Sequence, residues 1–399
     1  MLFYLTSGES HGSQLTAILD GFPAGFRVDV DKINFQLARR QKGYGRGGRM
    51  KIEKDKVEIV SGIRNGYSLG SPITLIIYNK DWQNWTKIMH PINPISGHLN
   101  LKEKRLAIET TKPRPGHADL PGAIKYNHKD LRNVLERASA RETAAKVAVG
   151  ALARQFLEYF NIEFVSHVVQ IGKIELTENY KIDNLESFNR TIENSEVRCI
   201  DKKTEQKMID AIKAAKKSRD SLGGVVEIII RGVPVGLGSF SQSPQRLDSL
   251  LAAGMMSIPS VKGVEIGLGF KTAGMRGSAV HDEIFYDDDG NLTRKGYYRK
   301  TNNAGGIEGG ISNGEDIIIR VAGKPISTLN KPLKTVEVHT KKPAEAMVER
   351  TDNCIIPALA VIGEAVAALA LADVFMQKFS SDNITEIERN YNMYLNTPY

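Results

Sequence analysis

Two histidines lie in short glycine-containing loops whose residues are typical of sites that transfer protons. The segment GESHG places Ser10 and His11 between two glycines, and KPRPGHADLPG places Arg114 three residues before His117. Histidine exchanges a proton near neutral pH, and an adjacent arginine can neutralise a departing phosphate that the histidine protonates. Each loop taken singly can be a purely structural turn, which is the commoner case for a lone histidine in a glycine turn.

The densest group of cations occurs in ARRQKGYGRGGRMK, which carries Arg39, Arg40, Arg46 and Arg49 together with four glycines. Arginine forks bind carboxylate and phosphate oxygens bidentately, so this segment suits an anionic ligand. Its G-x-G-x-x-G spacing is not a dinucleotide fingerprint, because it follows a predicted helix and leads into a predicted strand. An RGG-like contact with RNA is the alternative, although the rest of the chain shows no basic stripe interleaved with aromatic residues.

Arginines also flank the predicted start of a helix in ERASARETAAK, where Arg137 and Arg141 stand on either side of Ser139. The free N–H groups and positive potential of a helix start can bind an anion. A capping box formed by Ser139 and Glu142 is the plainer explanation, and it accounts for the serine but not for the arginines.

Three further polar segments occur late in the chain: GGIEGGISNGEDI, GKPISTL and VERTDNC. The last contains Arg350 and Asp352 just before a long apolar stretch. An aspartate at that place usually caps a helix, but beside an arginine in a closed site it can also carry a proton.

Composition limits the class of protein. The chain has 399 residues, of which 41% are hydrophobic and 25% charged, with a net charge of +8 that suits an anionic partner. Cys199 and Cys354 are too few for a disulfide framework, and the histidines show no metal-ligand spacing. The P-loop, H-E-x-x-H and G-x-S-x-G motifs are absent, and MLFYLTSGESHG does not resemble a signal peptide.

Helices and strands both recur, which predicts a mixed α and β fold. Helical spacing of apolar residues predicts helices at about 30–41, 140–160, 203–217, 244–256 and 355–378. Runs rich in β-branched residues predict strands at about 15–19, 56–60, 73–78, 225–231, 263–269 and 316–321. The apolar run 355–376 contains Pro357, Glu364 and Asp373, which favour a buried core helix over a membrane span.

Two parts of the chain repeat each other in the same order, which predicts an internal duplication. LTAILDGFPAGF matches VVEIIIRGVPVGLG, KVEIVSGIRNG matches GVEIGLGFKTAG, and SLGSPITLIIYNK matches ISNGEDIIIRVAGK. We therefore predict one domain over 1–399 with repeated halves at about 1–80 and 222–330. Chance recurrence of strand–turn segments is the alternative.

Taken together, the segments resemble the chorismate synthase family. GESHG, RRQKGYGRGGRMKIE, RPGHADL, ERASARETA, DSLGGVVE, KGVEIGLGF, GGISNG, KPIST and ERTD stand in family order from residue 8 to 352. The resemblance implies an α+β fold, a β-α-β sandwich of helices packed with antiparallel sheets, assembled as a homotetramer. It also implies a cytoplasmic lyase that uses reduced FMN to eliminate phosphate and a C6 proton from 5-enolpyruvylshikimate-3-phosphate, giving chorismate. It implies no metal, nucleic-acid or membrane partner.

The resemblance also implies roles for individual residues. His11 would keep the reduced flavin protonated, His117 would protonate the leaving phosphate, and Asp352 would act with the flavin to remove the C6 proton. The residues expected to bind substrate are Ser10, Arg40, Arg46, Arg49, Arg114, Arg141 and Arg350. The residues expected to bind FMN are Arg137, Ala138, Ser139, Pro259, Ser260, Gly309, Lys324, Pro325, Ile326, Ser327, Thr328 and Arg350. Arg40 and Arg46 also lie where the family has a nicotinamide nucleotide assigned, and Ala138 stands where serine is common.

Two other functions remain open at this point, a flavoprotein reductase and an RNA-binding protein. The sequence does not decide whether NADPH reduces the flavin on the enzyme itself. The second repeat carries an insertion at about 277–308, and we hypothesise that it is a lid that orders when FMN binds. Equal limited proteolysis with and without FMN would contradict the lid.

Overall fold

A computed structural model describes the chain from Met1 to Tyr399, except for a few short stretches. The residues outside the description are 48–52, 94, 96–98, 178–179, 181, 183, 289–290 and 350–351, with the side chains of 102 and 105. Two of the residues predicted to bind ligands, Arg49 and Arg350, therefore lie outside the described residues.

The described residues form short strands and helices of 4 to 23 residues. The strands are β1 (Phe3–Ser7), β2 (Gln14–Asp20), β3 (Glu58–Ser61), β4 (Ile63–Arg64), β5 (Tyr67–Ser68), β6 (Ile73–Tyr78), β7 (Glu163–Ile171), β8 (Ile174–Glu175), β9 (Gly224–Arg231), β10 (Val261–Ile266), β11 (Ile284–Tyr286), β12 (Tyr297–Arg299), β13 (Ile307–Glu308), β14 (Ile311–Ser312), β15 (Ile317–Gly323), β16 (Lys334–Val336) and β17 (Pro343–Glu345). The α-helices are α1 (Val30–Gln41), α2 (Leu101–Leu106), α3 (Asp119–Tyr126), α4 (Arg132–Leu135), α5 (Thr143–Tyr159), α6 (Leu185–Glu193), α7 (Lys202–Lys217), α8 (Leu247–Met256), α9 (Gly277–Val280), α10 (Ile356–Lys378) and α11 (Ile384–Asn396). The five predicted helices and six predicted strands are all present, with ends that differ by a few residues.

Two antiparallel sheets enclose a layer of helices. One sheet has the strand order β1-β2-β6-β3, and the other has the order β10-β15-β9-β7-β8. Helices α1, α5, α8 and α10 pack against one another and against the inner faces of these sheets. Alternate residues of β2 and β6, such as Leu15 and Ile77, point inward and are about 1% exposed. The predicted α+β class, with helices packed on antiparallel sheets, is confirmed.

Helix α10 forms the centre of this helical layer. By length and apolar composition it could cross a membrane, but 89% of its most apolar window is buried inside the protein. Proline at its start and Glu364 in its middle are both buried, and Glu364 is 1% exposed. The sequence-based prediction of a core helix therefore describes α10 correctly.

The two sheets share one strand arrangement, which supports the proposal of an internal duplication. Four strands of each sheet stand in equivalent order, since β3-β6-β2-β1 in the first sheet corresponds to β10-β15-β9-β7 in the second. One hydrogen-bonding pattern also recurs. Ser68 Oγ donates to Pro23 O at 2.6 Å and accepts from Phe26 N at 2.9 Å. Ser312 Oγ donates to Pro234 O at 2.6 Å and accepts from Leu237 N at 2.8 Å.

The insertion at 277–308 packs at the end of the second sheet where β15 begins. Within it, Thr293 O accepts from Val235 N at 2.9 Å, and Lys295 Nζ donates to Thr397 O at 2.8 Å beyond α11. The predicted FMN-binding run 324–328 follows the opposite end of β15, roughly 20 Å away for a seven-residue strand. To cover the active site of its own chain, the insertion would have to move away from this position. The lid therefore stays a prediction.

Candidate active site

His11 lies in the loop between β1 and β2, where several groups fix its ring. Nδ1 is 2.8 Å from Oε2 of Glu136, and the ring stacks on Trp85 with centroids 4.1 Å apart. Glu136 also accepts from Arg132 at 3.0 Å. Burial alone would raise the pKa of Glu136, but His11 and Arg132 outweigh burial and hold that pKa below its usual value.

His117 lies just before α3 and makes a similar contact with a carboxylate. Its Nδ1 is 2.5 Å from Oδ1 of Asp119, whose Oδ2 accepts from Arg114 Nε at 2.8 Å. Burial opposes ionisation of Asp119, yet hydrogen bonds and charge from His117 and Arg114 shift its pKa far below the usual range. Arg114 Nη1 donates to Thr328 Oγ1 at 2.8 Å. Arg114 Nη2 lies 3.1 Å from His117 Nδ1, so the structure brings the predicted arginine and loop histidine together.

Arg40 and Arg141 converge on one buried carboxylate. Asp55, whose side chain is 0% exposed, lies 2.9 Å from Arg40 Nη2 and 2.7 Å from Arg141 Nη1. Burial lowers the pKa of Arg40 to about 10, and the two arginines hold the pKa of Asp55 low against the effect of its own burial. Among the described residues, Arg40 Nε and Arg141 Nη2 are buried donors without a hydrogen-bond acceptor. Buried donors of this kind normally have a partner, so they indicate a ligand or water.

Arg46 and Asp352 form a fourth charged cluster, after those around Glu136, Asp119 and Asp55. Arg46 Nη1 is 2.8 Å from Asp352 Oδ2, and the backbone N–H of Gly47 donates to Oδ1 of the same carboxylate at 2.5 Å. A cavity of about 550 Å³ lies on the side of Arg46 that faces the end of α6 and the helix α7, and neither histidine nor Asp352 lines it. The alternative that Asp352 caps the following helix is wrong, because the N-cap of α10 is Ile355.

Two loops predicted to bind FMN join the His117 loop. Lys324 N donates to Ser260 O at 2.9 Å, which ties the loop that contains Pro259 to the run 324–328. Lys324 Nζ donates to Gly116 O at 2.5 Å, and a Cβ at Gly116 would lie 3.6 Å from Ser327 Cβ. An ammonium, two hydroxyls and an imidazole therefore lie close together, which is chemistry that suits a phosphate or a carboxylate.

Contacts between the clusters join them into one region. Asn79 Nδ2 donates to Gly12 O at 2.8 Å in the His11 loop, while Asn79 Oδ1 accepts from Arg141 Nε at 2.9 Å. Helices α3 and α4 touch so closely that a Cβ at Gly122 would meet Val134 at 2.4 Å. His117 precedes α3 and Glu136 follows α4, so the two histidine clusters stand on packed neighbouring helices.

The remaining predicted FMN residues divide into two groups. Arg137 donates to Gly8 O at 3.2 Å and to Thr6 O at 2.8 Å, so its guanidinium binds the backbone before His11. Ser139 caps a 3-10 turn by accepting from Arg141 N, and α5 begins only at Thr143. Gly309 lies elsewhere, in the β13–β14 turn near the start of α8, whereas Pro259 follows the end of α8. The structure does not bring Gly309 to the other predicted residues within one chain.

Sequence reasoning missed the carboxylates and the aromatic ring that hold the cationic groups. Asp55, Glu136 and Trp85 gave no local signal, because their partners are distant in sequence; Glu136 and His11 are 125 positions apart. Asp119 could have been predicted as a partner of His117, because the segment GHAD shows the H-x-D spacing directly. The described site thus combines two histidine–carboxylate pairs with several fixed arginines, an arrangement that can bind anions and transfer protons.

Known proteins of one family match this chain along nearly its whole length. The profile of the family described as chorismate synthase matches residues 2–376. Chorismate synthase of Alkaliphilus metalliredigens is 52% identical over 394 residues, covering 99% of both chains. That of Geobacter sulfurreducens is 53% identical over 399 residues, covering 99% of this chain and 98% of that protein. A crystal structure of chorismate synthase superposes with a TM-score of 0.77 at 40% identity, covering 99% of this chain and 97% of that one. The chain belongs to the chorismate synthase family.

Proposed function

We propose that this chain catalyses the seventh step of the shikimate pathway, the anti-1,4-elimination of phosphate and a C6 proton from 5-enolpyruvylshikimate-3-phosphate to give chorismate. Family membership supports the reaction. The observation that carries the proposal is the cluster of His117, Asp119 and Arg114, which pairs a proton donor with a fixed guanidinium. These are the groups that a departing phosphate requires.

The proton transfers are divided between two sites on the protein. His117 protonates an oxygen of the leaving phosphate, and Arg114 beside it neutralises the charge that develops. Asp352 takes up the C6 proton; its carboxylate is held by Arg46 and by the N–H of Gly47. Because carboxylate and guanidinium are paired, a substrate anion that binds Arg46 would compete with Asp352 for the guanidinium.

The fit of FMN is supported by the polar groups of three loops. FMN would be held by the backbone of Arg137 and Ala138, the Ser139 hydroxyl, Pro259, Ser260 and the run from Lys324 to Thr328. When bound, reduced FMN supplies transient electron density to the reacting carbon framework without net redox change. Gly309, which is distant within one chain, stays a prediction as a cofactor-binding residue. NADPH as the reductant of the flavin, near Arg40 and Arg46, is part of the same proposal.

Binding of the multiply charged substrate is proposed for the fixed arginines. Arg40 and Arg141 offer buried donors, Arg40 Nε and Arg141 Nη2, that have no acceptor among the described residues. Ser10, next to His11, is 3% exposed, with its backbone N–H bonded to Glu136 O at 3.0 Å. Arg49 and Arg350 are retained as predicted substrate ligands, since they lie outside the described residues.

A homotetramer is proposed because one sheet has an uncovered apolar face. On the outer face of the sheet β1-β2-β6-β3, Phe3 is 55% exposed, Leu5 59% and Tyr78 53%. Apolar patches of this kind mark interaction surfaces, and a second copy is the proposed cover. Light scattering of Leu5→Glu is expected to show a smaller assembly than the wild type, and an unchanged mass would contradict this assignment.

We propose a cytoplasmic location and no nucleic-acid partner. Both cysteines are free and buried, which suits a reducing compartment. Arg40 and Arg46 of the arginine-rich segment are engaged with carboxylates, which argues against an exposed RNA-binding patch.

An anaerobic assay with chemically reduced FMN tests the reaction. Purified protein is expected to release phosphate and form chorismate from 5-enolpyruvylshikimate-3-phosphate in equal amounts. His117→Ala and Asp352→Asn are expected to bind FMN and to lose most turnover. His128→Ala, an exposed histidine outside the site, is the matched control with normal turnover. NADPH oxidation without chorismate would instead favour a flavoprotein reductase.

A further inference from the structure

The loop that carries His11 is fastened along its length to one short segment. Arg137 donates to the carbonyls of Thr6 and Gly8, and Ser10 N donates to Glu136 O at 3.0 Å. The backbone N–H of His11 donates to Glu136 Oε2 at 3.0 Å. Glu136 therefore contacts this loop through its backbone carbonyl and its side chain, and it fixes both the main chain and the ring of His11.

The Glu136 carboxylate is itself held in place. Its side chain is 1% exposed, and Oε1 accepts from Arg132 Nη1 at 3.0 Å, one helical turn earlier. The carboxylate remains ionised because His11 and Arg132 lower its pKa more than burial raises it. An ionised carboxylate can only accept hydrogen bonds, so the His11 Nδ1 that faces it at 2.8 Å carries the hydrogen.

Trp85 contacts both the His11 ring and Arg132. Its ring stacks on His11 with an interplanar angle of 27°, and the Arg132 guanidinium lies 5.1 Å from its ring centroid. Tryptophan and Glu136 thus each touch both His11 and Arg132. Such a closed set of four contacts restricts rotation of the imidazole about both side-chain torsions.

We propose that Glu136 is a positioning residue for His11, holding the hydrogen on Nδ1 and turning Nε2 toward the bound ligands. The role of His11 in this inference rests on the proposed function, whereas the contacts between Glu136 and His11 do not depend on it. The His117 cluster is similar in that Asp119 faces Nδ1 and is itself held by Arg114, but there Arg114 Nη2 also lies 3.1 Å from the same Nδ1. His11 would then exchange protons through Nε2.

A direct test locates the hydrogen by neutron diffraction from crystals of the wild-type protein. Density for hydrogen on His11 Nδ1, directed at Glu136, is the expected result. A ring with hydrogen on Nε2 alone would overturn the inference. This measurement needs no variant, so it holds even if substitutions at Glu136 impair folding, and it is independent of turnover.

A kinetic test uses Glu136→Gln with a matched control. Glu158 pairs with Arg154 at 2.7 Å, also one turn earlier, but has no described contact with the His11 loop. Glu136→Gln is expected to lower kcat on the order of 100-fold, the contribution of a well-placed proton-transfer group. Its KM and its affinity for FMN are expected to change by less than about threefold. Glu158→Gln is expected to match the wild type in all three.

The outcomes separate the two proposals. If the wild type forms no chorismate, the proposed function fails while the neutron result still decides the geometry of His11. If the wild type turns over and Glu136→Gln keeps a kcat within about threefold of it, the positioning role is wrong. Equal losses in the Glu136 and Glu158 variants would also contradict it, because they would reflect helix stability alone.

Discussion

A single carboxylate in the middle of α10 provides the sharpest quantitative test of the fold. Glu364 is 1% exposed and lies 2.6 Å from Arg39 Nη1 and 3.8 Å from Arg198 Nη2. Arg154 Nη1 also donates to it, and Ser166 Oγ donates at 2.5 Å. We expect Glu364→Gln to lower the free energy of unfolding, because it leaves several buried guanidinium groups without their shared counter-charge.

Two routes give the same magnitude for this loss. Breaking a buried ion pair by removing one partner costs about 3–5 kcal/mol. Burial would raise the pKa of Glu364, but Arg39, Arg154 and Arg198 lower it from 4.5 to about 2. At about 1.36 kcal/mol per pH unit, this lowering corresponds to about 3 kcal/mol. An unfolding entropy of about 2.1 cal/mol/K per residue then predicts a fall in Tm of about 4 °C for a chain of 399 residues.

The pH dependence follows from the direction of the same pKa. A carboxyl whose pKa is lower in the folded state stabilises fully above its unfolded pKa of 4.5 and progressively less as pH falls toward 2. The difference between wild type and Glu364→Gln should therefore be constant from pH 8 to about 5 and shrink below that. Calorimetry at equal protomer concentration measures it, since assembly also affects Tm.

The control for this experiment is Glu158→Gln, which removes a partly exposed carboxylate from the same Arg154. A loss of less than about 1 kcal/mol is expected there. A Tm for Glu364→Gln equal to that of the control would refute the reasoning, because it would mean that the buried network contributes no more than a surface pair.

Three further outcomes are expected. Ser68→Ala and Ser312→Ala should each lower the free energy of unfolding by about 1–2 kcal/mol, because each leaves a turn carbonyl and N–H without its bond; clearly unequal losses in calorimetry would argue against equivalent repeats. Burial raises the pKa of the Cys199 thiol to about 11 and of Cys354 to about 12, so neither should react with a thiol reagent at pH 8 until urea unfolds the chain. Asp55→Asn should raise KM for the substrate by about tenfold or more through the loss of two oriented arginines, and unchanged steady-state kinetics would contradict that role.

The sequence predicted elements where periodicity was uninterrupted and missed them where tertiary contacts decide. Helix α1 matches its predicted range because apolar residues repeat at helical spacing up to Gln41. Strand β7 was missed, since Ser166 and His167 interrupt its apolar run. Both are 0% exposed, because Ser166 binds Glu364 and His167 faces Glu227 at 3.3 Å. Glu364 is 198 positions from Ser166, and Glu227 is 60 positions from His167, so no local sequence pattern reveals these contacts.

Local sequence patterns were also insufficient to predict the whole candidate site. Both histidines were identified from their glycine loops, and the described arginines from their density in sequence. The carboxylates that fix them were not, because an acidic residue in a sequence is usually a solvated one. Only the fold shows that Asp55 and Glu136 are buried against arginines, with side chains 0% and 1% exposed.

The paired charges change the picture of how the site binds anions. The sequence indicates a pocket with an excess of arginine, yet five arginines of the described site each have a carboxylate partner. The arginines are Arg40, Arg46, Arg114, Arg132 and Arg141, and the carboxylates that face them are Asp55, Asp119, Glu136 and Asp352. Attraction for a multiply charged substrate therefore depends less on net charge than on guanidinium groups whose rotamers are already fixed. Ordering a free arginine side chain costs about 2 kcal/mol, and here folding has already ordered these side chains before the ligand arrives. Carboxylates that crowd an anion-binding site are then consistent with tight binding, since they orient the donors that the substrate uses.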